Sequence, residues 1–93
     1  MSDLGVLLGA ILNQDWTDDY PTVWAAVDYF CSSPERETVM GAHAELVDLL
    51  AKGLSENALL DVLLDDYDSG YWPPGDDTTA TGFLTRLECE LRT

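Results

Sequence analysis

Apolar residues recur along this chain at steps of three and four, and polar breaks bearing glycine or proline separate the runs. That spacing is helical. Leu4, Leu7, Leu8 and Ile11 predict a first helix over about residues 3–13, capped by Ser2 or Asp3 and stopped at Asn13. Gly5 and Gly9 each weaken it by about 1 kcal/mol relative to alanine, and their four-residue spacing suits the close approach of another helix. Val23, Trp24, Val27, Phe30 and Cys31 form the stripe of a second helix, with Pro21 in its first turn, where the missing N–H is not needed. Ser33-Pro34, followed by Glu35 and Glu37, opens a third helix over about 34–52. There Val39, Ala42, His43, Leu46, Leu49 and Leu50 share one face, Thr38, Gly41, Glu45, Asp48 and Lys52 lie opposite, and Gly53 closes the helix. Ser55 caps a fourth, about 56–67, with Leu59, Leu60, Leu63, Leu64 and Tyr67 inward. A last helix, about 78–91, carries Ala80, Phe83, Leu84, Leu87 and Leu91. Strand-like alternation and internal repeats are absent. The fold class expected is all-α, a small single-domain bundle of about five short helices spanning residues 1–93.

Two of the breaks change the picture. Residues 14–20 bring Asp15, Trp16, Asp18, Asp19 and Tyr20 together directly after an apolar helix. Residues 65–77 repeat the pairing, with Asp65, Asp66, Asp68, Tyr71, Trp72, Asp76 and Asp77 around Gly70, Pro73, Pro74 and Gly75. Asp18 and Asp19 stand just ahead of the second helix, where they complement its dipole by about 0.3–1 kcal/mol each. Asp65, Asp66 and Asp68 sit at the opposite, negative end of the fourth helix, where local stability favours lysine. Acid retained against local stability points to function. Trp24 belongs to a helix stripe and to the core. Of Trp16 and Trp72, one is expected to plug the end of the bundle, with Tyr71 exposed.

Charge sharpens this. Eighteen Asp and Glu face four basic residues, Arg36, Lys52, Arg86 and Arg92, for a net charge of −14 on 93 residues. Such a body repels nucleic acid and anionic membrane, and its favoured partners are basic proteins or cations. Ordinary apolar content argues against disorder despite the charge. The first residues lack a positively charged leader, and Val6–Leu12 is too short to span a bilayer, so a cytoplasmic location is expected, with Cys31 and Cys89 as reduced thiols in or near the core or joined in a single disulfide.

Enzyme readings find little support. His43 is the sole histidine and falls on an apolar face, which suits a buried, hydrogen-bonded structural role. Neither cysteine has a basic neighbour to lower its pKa. Phosphate loops, zinc spacing and dinucleotide fingerprints are missing. The stretch from Asp66 begins like a calcium loop, but its sixth position is Tyr71 instead of glycine and its twelfth is Asp77 instead of glutamate. We therefore expect no catalytic residue, cofactor or metal.

The order of elements also carries a resemblance. A helix ending in Asn13-Gln14-Asp15-Trp16 leads to acid and Tyr20, then to an amphipathic helix. The Ala44–Leu59 helix pair follows, then a Gly70-Tyr71-Trp72-Pro73 turn and a closing helix with Phe83-Leu84. Across nearly the whole chain this resembles the small CdiI-type immunity proteins of bacterial contact-dependent growth inhibition systems. Pro21 and the second proline, Pro74, depart from the pattern. The resemblance implies a cytoplasmic protein that binds the C-terminal domain of a cognate toxin, in many systems a nuclease, and neutralises it by stoichiometric contact without chemistry of its own. A nuclease is basic where it holds phosphate, so the acidic segments complement it, and the partner expected is a toxin domain with a basic surface met by a monomer. The candidate contact residues are Asp15, Trp16, Asp18, Asp19, Asp65, Asp66, Asp68, Tyr71, Trp72, Asp76 and Asp77, provided that both segments share one end of the bundle. Two alternatives remain open at this stage: an acidic nucleic-acid mimic that blocks DNA-binding proteins, and a helical adaptor with no inhibitory role.

Overall fold

The computed structural model describes residues 2–92. Among them are six helices, one 3-10 turn and no strand. Helix α1 spans 3–11 and turns from α-helical at Asp3–Gly5 to π-helical at Val6–Ile11. Four-residue α2 is Trp16–Asp19, α3 is Val23–Cys31, and α4, the longest, is Arg36–Ala51. Helix α5 spans 56–66, again with a π-helical end from Val62. A 3-10 turn, Pro73–Asp76, precedes α6, Ala80–Leu91. The five longer helices are those the apolar spacing predicts, with ends displaced by a few residues.

Hydroxyl caps set most of the starts. Ser2 accepts from Gly5 N–H, Thr22 from Ala25, Ser55 from Ala58 and Thr79 from Gly82. The second helix thus begins after Thr22 instead of at Pro21. Asp18 and Asp19 lie inside α2, and the first turn of α3 holds no acid, so the expected dipole role of these two residues does not apply.

Helices α4 and α6 pack on α1 and α3 around one apolar core. Leu4, Leu7, Leu8, Val27, Ala42, Leu46, Leu63, Leu84 and Leu87 are among its buried residues. The stripes of α4 and α6 fill it as expected, with His43 and Leu50 half-buried. The two π-helical ends shift the stripes of α1 and α5. Their wider turn, seen in Leu12 N–H donating to the Leu7 carbonyl at 2.9 Å and Tyr67 N–H to that of Val62 at 3.2 Å, rotates later side chains. Leu12 is therefore fully buried where Ile11 was expected, and Leu64 faces solvent at 47% exposure.

The supposed outer face of α4 is also corrected. Thr38, Gly41 and Glu45 are half-buried because α1 lies against them. Glu45 accepts from Ser2 Oγ at 2.9 Å and from Tyr67 Oη at 2.6 Å, tying α1, α4 and α5 together. Burial and the Glu45 carboxylate push the Tyr67 phenol well above its ordinary range. Glu56 does a similar job at the other side. It accepts from Ala80 N–H at 2.7 Å, Thr81 N–H at 3.1 Å and Thr81 Oγ1 at 3.0 Å, so a side chain of α5 caps α6, and those backbone bonds pull its carboxyl below the usual range.

Candidate functional site: the acidic junction

The C-terminal ends of α1 and α5 meet. Gly70 N–H donates to the Leu12 carbonyl at 2.7 Å, which joins the two breaks backbone to backbone. Glycine is required for this approach. A Cβ on Gly70 would lie 2.5 Å from Gln14 N and nearer still to the Asn13 carbonyl. A Cβ on Gly9 would lie 2.6 Å from the Tyr67 carbonyl oxygen. The close approach expected of Gly9 is therefore made by the end of α5. Asn13 shapes its side of the junction, donating to the Ala10 carbonyl at 2.9 Å and accepting from Asp15 N–H at 2.8 Å.

Aromatic stacking extends the contact. The Trp16 and Tyr71 rings meet edge to face with centroids 5.7 Å apart, and Tyr71 continues to Phe83 of α6 at 4.7 Å. Trp16 is half-buried against the core and Tyr71 is only 4% exposed. This overturns the exposed position expected for Tyr71. Its ring fills the space between α2 and α6, and its hydroxyl donates to Asp76 Oδ2 at 3.0 Å. Burial, then the Asp76 carboxylate, pushes the Tyr71 phenol up to about 12. Trp72 remains 41% exposed. Trp24 packs on Phe83 at 5.6 Å with Arg86 over its ring, 4.0 Å from the centroid, and is half-buried at the edge of the core.

The acids lie on the same two segments as this aromatic joint. Asp15, Asp18, Asp19, Asp65, Asp66, Asp68, Asp76 and Asp77 are all exposed, and neither segment holds a basic residue. Two helix C-termini, each a negative dipole end, add to the local potential. Asp68 and Asp77 adopt left-handed backbone, φ 52° and 57°, where glycine is the usual occupant. Asp68 closes α5 there, and Ser69 N–H turns back to the Leu63 carbonyl at 2.9 Å. Of the residues that sequence reasoning singles out, the structure therefore brings Trp16, Tyr71 and Asp76 into one contact chain. Asp15 and Asp68 flank the backbone joint, and Asp65 and Asp66 lie on the last turn of α5.

The single histidine lies elsewhere. His43 Nε2 is 2.9 Å from Glu88 Oε2, and Arg92 holds the same carboxylate, so this polar group fastens α4 to α6. The bonds from Arg92 and His43 draw the Glu88 carboxyl down to about 2. The cysteines are free, with Cys31 half-buried and Cys89 exposed instead of in or near the core. Among the described residues no three His, Cys, Asp or Glu converge to hold a metal ion, and no helix is long and apolar enough to cross a membrane.

A family model described as CdiI immunity protein matches residues 1–91. The chain belongs to the CdiI immunity protein family. Among solved structures, this CdiI family member is similar to a chain in the crystal structure of a CdiA-CT/CdiI complex from Y. kristensenii 33638. The TM-score is 0.88 at 23% sequence identity, over 97% of this chain and 96% of that one, a likeness of fold. Among curated proteins none matches. Glu45, Glu56 and Glu88, which hold the CdiI fold together, carry no sequence signal that separates them from the solvated acids. All three are half-buried, and a tertiary partner alone distinguishes them.

Proposed function

We propose that this CdiI family member binds the C-terminal toxin domain of a contact-dependent growth inhibition system, one to one, and neutralises it by contact without turnover in the cytoplasm of the cell that makes it. The proposed partner is a nuclease with a basic surface, and the acidic junction is the surface that meets it. The observation that carries this reading is the seating of residues 12–16 on 67–71, which gathers two acidic segments that lie some fifty residues apart in sequence. The CdiA-CT partner of the similar fold supports the choice of a toxin domain. Carboxylates around two negative helix ends present to a phosphate-binding groove what a nucleic acid would present. Complementary charge raises association toward about 10⁸–10⁹ M⁻¹s⁻¹ at low salt, and rapid capture matters against a toxin active in small numbers. Trp72 is the aromatic anchor of this surface. Tyr71 and Trp16 hold its shape from beneath, so Tyr71 leaves the contact set.

Co-expression with the toxin domain encoded beside it tests this. Growth should be rescued, and the purified pair should form a one-to-one complex whose association slows as salt rises. Replacing Asp65, Asp66 and Asp68 together by Asn should slow association at least tenfold. Rescue without salt dependence would refute charge steering, and absence of both rescue and complex would refute immunity toward that toxin.

A further inference from the structure

A second feature lies outside the acidic junction. Between α1 and the α3–α4 turn the surface opens into a groove of about 280 Å³. Val6, Ile11 and Phe30 line its apolar part, Tyr29 and Pro34 border it, and Glu35 stands among the lining residues. Its volume falls below the range of about 300–1,000 Å³ typical of small-molecule sites and suits a single large side chain. Tyr29 is 63% exposed, an unusual cost for an aromatic ring with an apolar groove beside it. Its ring reaches the acidic segment, because Tyr20, directly after Asp18 and Asp19, stacks on Tyr29 at 5.8 Å. Carboxylates dominate the neighbouring sequence: Asp28 precedes Tyr29, and Glu35 and Glu37 flank Arg36. Glu35 is exposed and accepts from Thr38 Oγ1 at 3.3 Å through one carboxylate oxygen.

The geometry points to this groove as the second anchor point for the toxin domain, taking one Lys or Arg side chain whose aliphatic stem lies between Tyr29 and Ile11 and whose charged head meets Glu35. The inference rests on the toxin-binding reading above and adds a distinct contact to it. A largely apolar groove with a carboxylate in its lining fits a residue with an apolar stem and a cationic tip. A purely aliphatic anchor would leave Glu35 desolvated and unpaired. The shared Tyr20–Tyr29 stack makes groove and acidic segment one continuous surface, so a basic partner docked on the acid reaches the groove without a second binding event.

Tyr29→Ala and Glu35→Gln test it, together with titration against the toxin domain by calorimetry. Both side chains are exposed, so both variants should stay folded, with Tyr29→Ala melting slightly lower through loss of the Tyr20 contact. Tyr29→Ala should weaken binding at least tenfold with association rate unchanged, and Glu35→Gln three- to tenfold with a shallower salt dependence. An Ile11→Ala variant should lose affinity in the same direction. Wild-type affinity in both Tyr29→Ala and Glu35→Gln would overturn the groove while leaving the acidic junction standing. Failure of the wild-type chain to bind any toxin domain would overturn both.

Discussion

Gly70→Ala isolates the contact on which the acidic junction depends. The new Cβ would fall 2.5 Å from Gln14 N and closer to the Asn13 carbonyl, all of it backbone that cannot swing away as a side chain can. Forcing a methyl group into a packed site costs about 1–3 kcal/mol. The segments must also part, which stretches the 2.7 Å bond from Gly70 N–H to the Leu12 carbonyl and forfeits about 0.5–1.5 kcal/mol more. The expected loss is on the order of 2–4 kcal/mol. For a domain of this size that corresponds to a fall in Tm of about 10–25 °C, a large part of a total stability of about 5–15 kcal/mol. Gly75→Ala is the internal control. Its Cβ would meet only Trp72 Cδ1 at 3.6 Å, an ordinary contact, so stability should stay within about 0.5 kcal/mol of wild type. Thermal and urea denaturation followed by circular dichroism measure both. If Gly70→Ala lost less than about 1 kcal/mol, or no more than Gly75→Ala, the close seating of the two segments would be refuted.

Three further outcomes are expected. Asp68→Gly removes left-handed strain of about 1–2 kcal/mol and a like charge at a negative helix end, so the protein should melt higher while binding the proposed toxin partner more weakly; a melt no higher than wild type would sink the strain argument. Glu56→Ala strips the cap that α5 provides for α6 and should cost about 0.5–2 kcal/mol, with amide exchange accelerating first at Ala80 and Thr81. Stability should also fall with rising alkalinity. Tyr71 ionises near its ordinary value of 10.0 when unfolded but at about 12 when folded, so its contribution is complete below pH 10 and is lost as pH rises from 10 toward 12. Tyr71→Phe should make that limb shallower in a series of melts against pH, the raised Tyr67 phenol carrying the rest, and an unchanged slope would count against the buried Tyr71–Asp76 bond.

Helix identity was legible because each stripe repeats a local rule many times over. Leu84, Leu87 and Leu91 must face one way whatever lies opposite, and Ser55 announces a helix start from two or three residues. The errors fall where a neighbour intervenes. Leu12 displaces Ile11 from the core because α1 widens into a π-helix, and no local pattern marks that change. Thr38, Gly41 and Glu45 look like a solvated face until α1 covers them.

The candidate site divides along the same line. Its ingredients, dense acid beside Trp16 and beside Tyr71 and Trp72, are written in two short segments, while the family resemblance and the net charge of −14 are legible along the whole chain. Charge and composition add up residue by residue and need no fold. Their meeting does need one. That Gly70 rests on Leu12, that Tyr71 turns inward while Trp72 stays out, and that Glu45, Glu56 and Glu88 serve the scaffold while eight aspartates face solvent were decided by tertiary packing alone. Burial and hydrogen bonding between residues far apart in the chain are properties of pairs, and a single sequence specifies only the members of each pair.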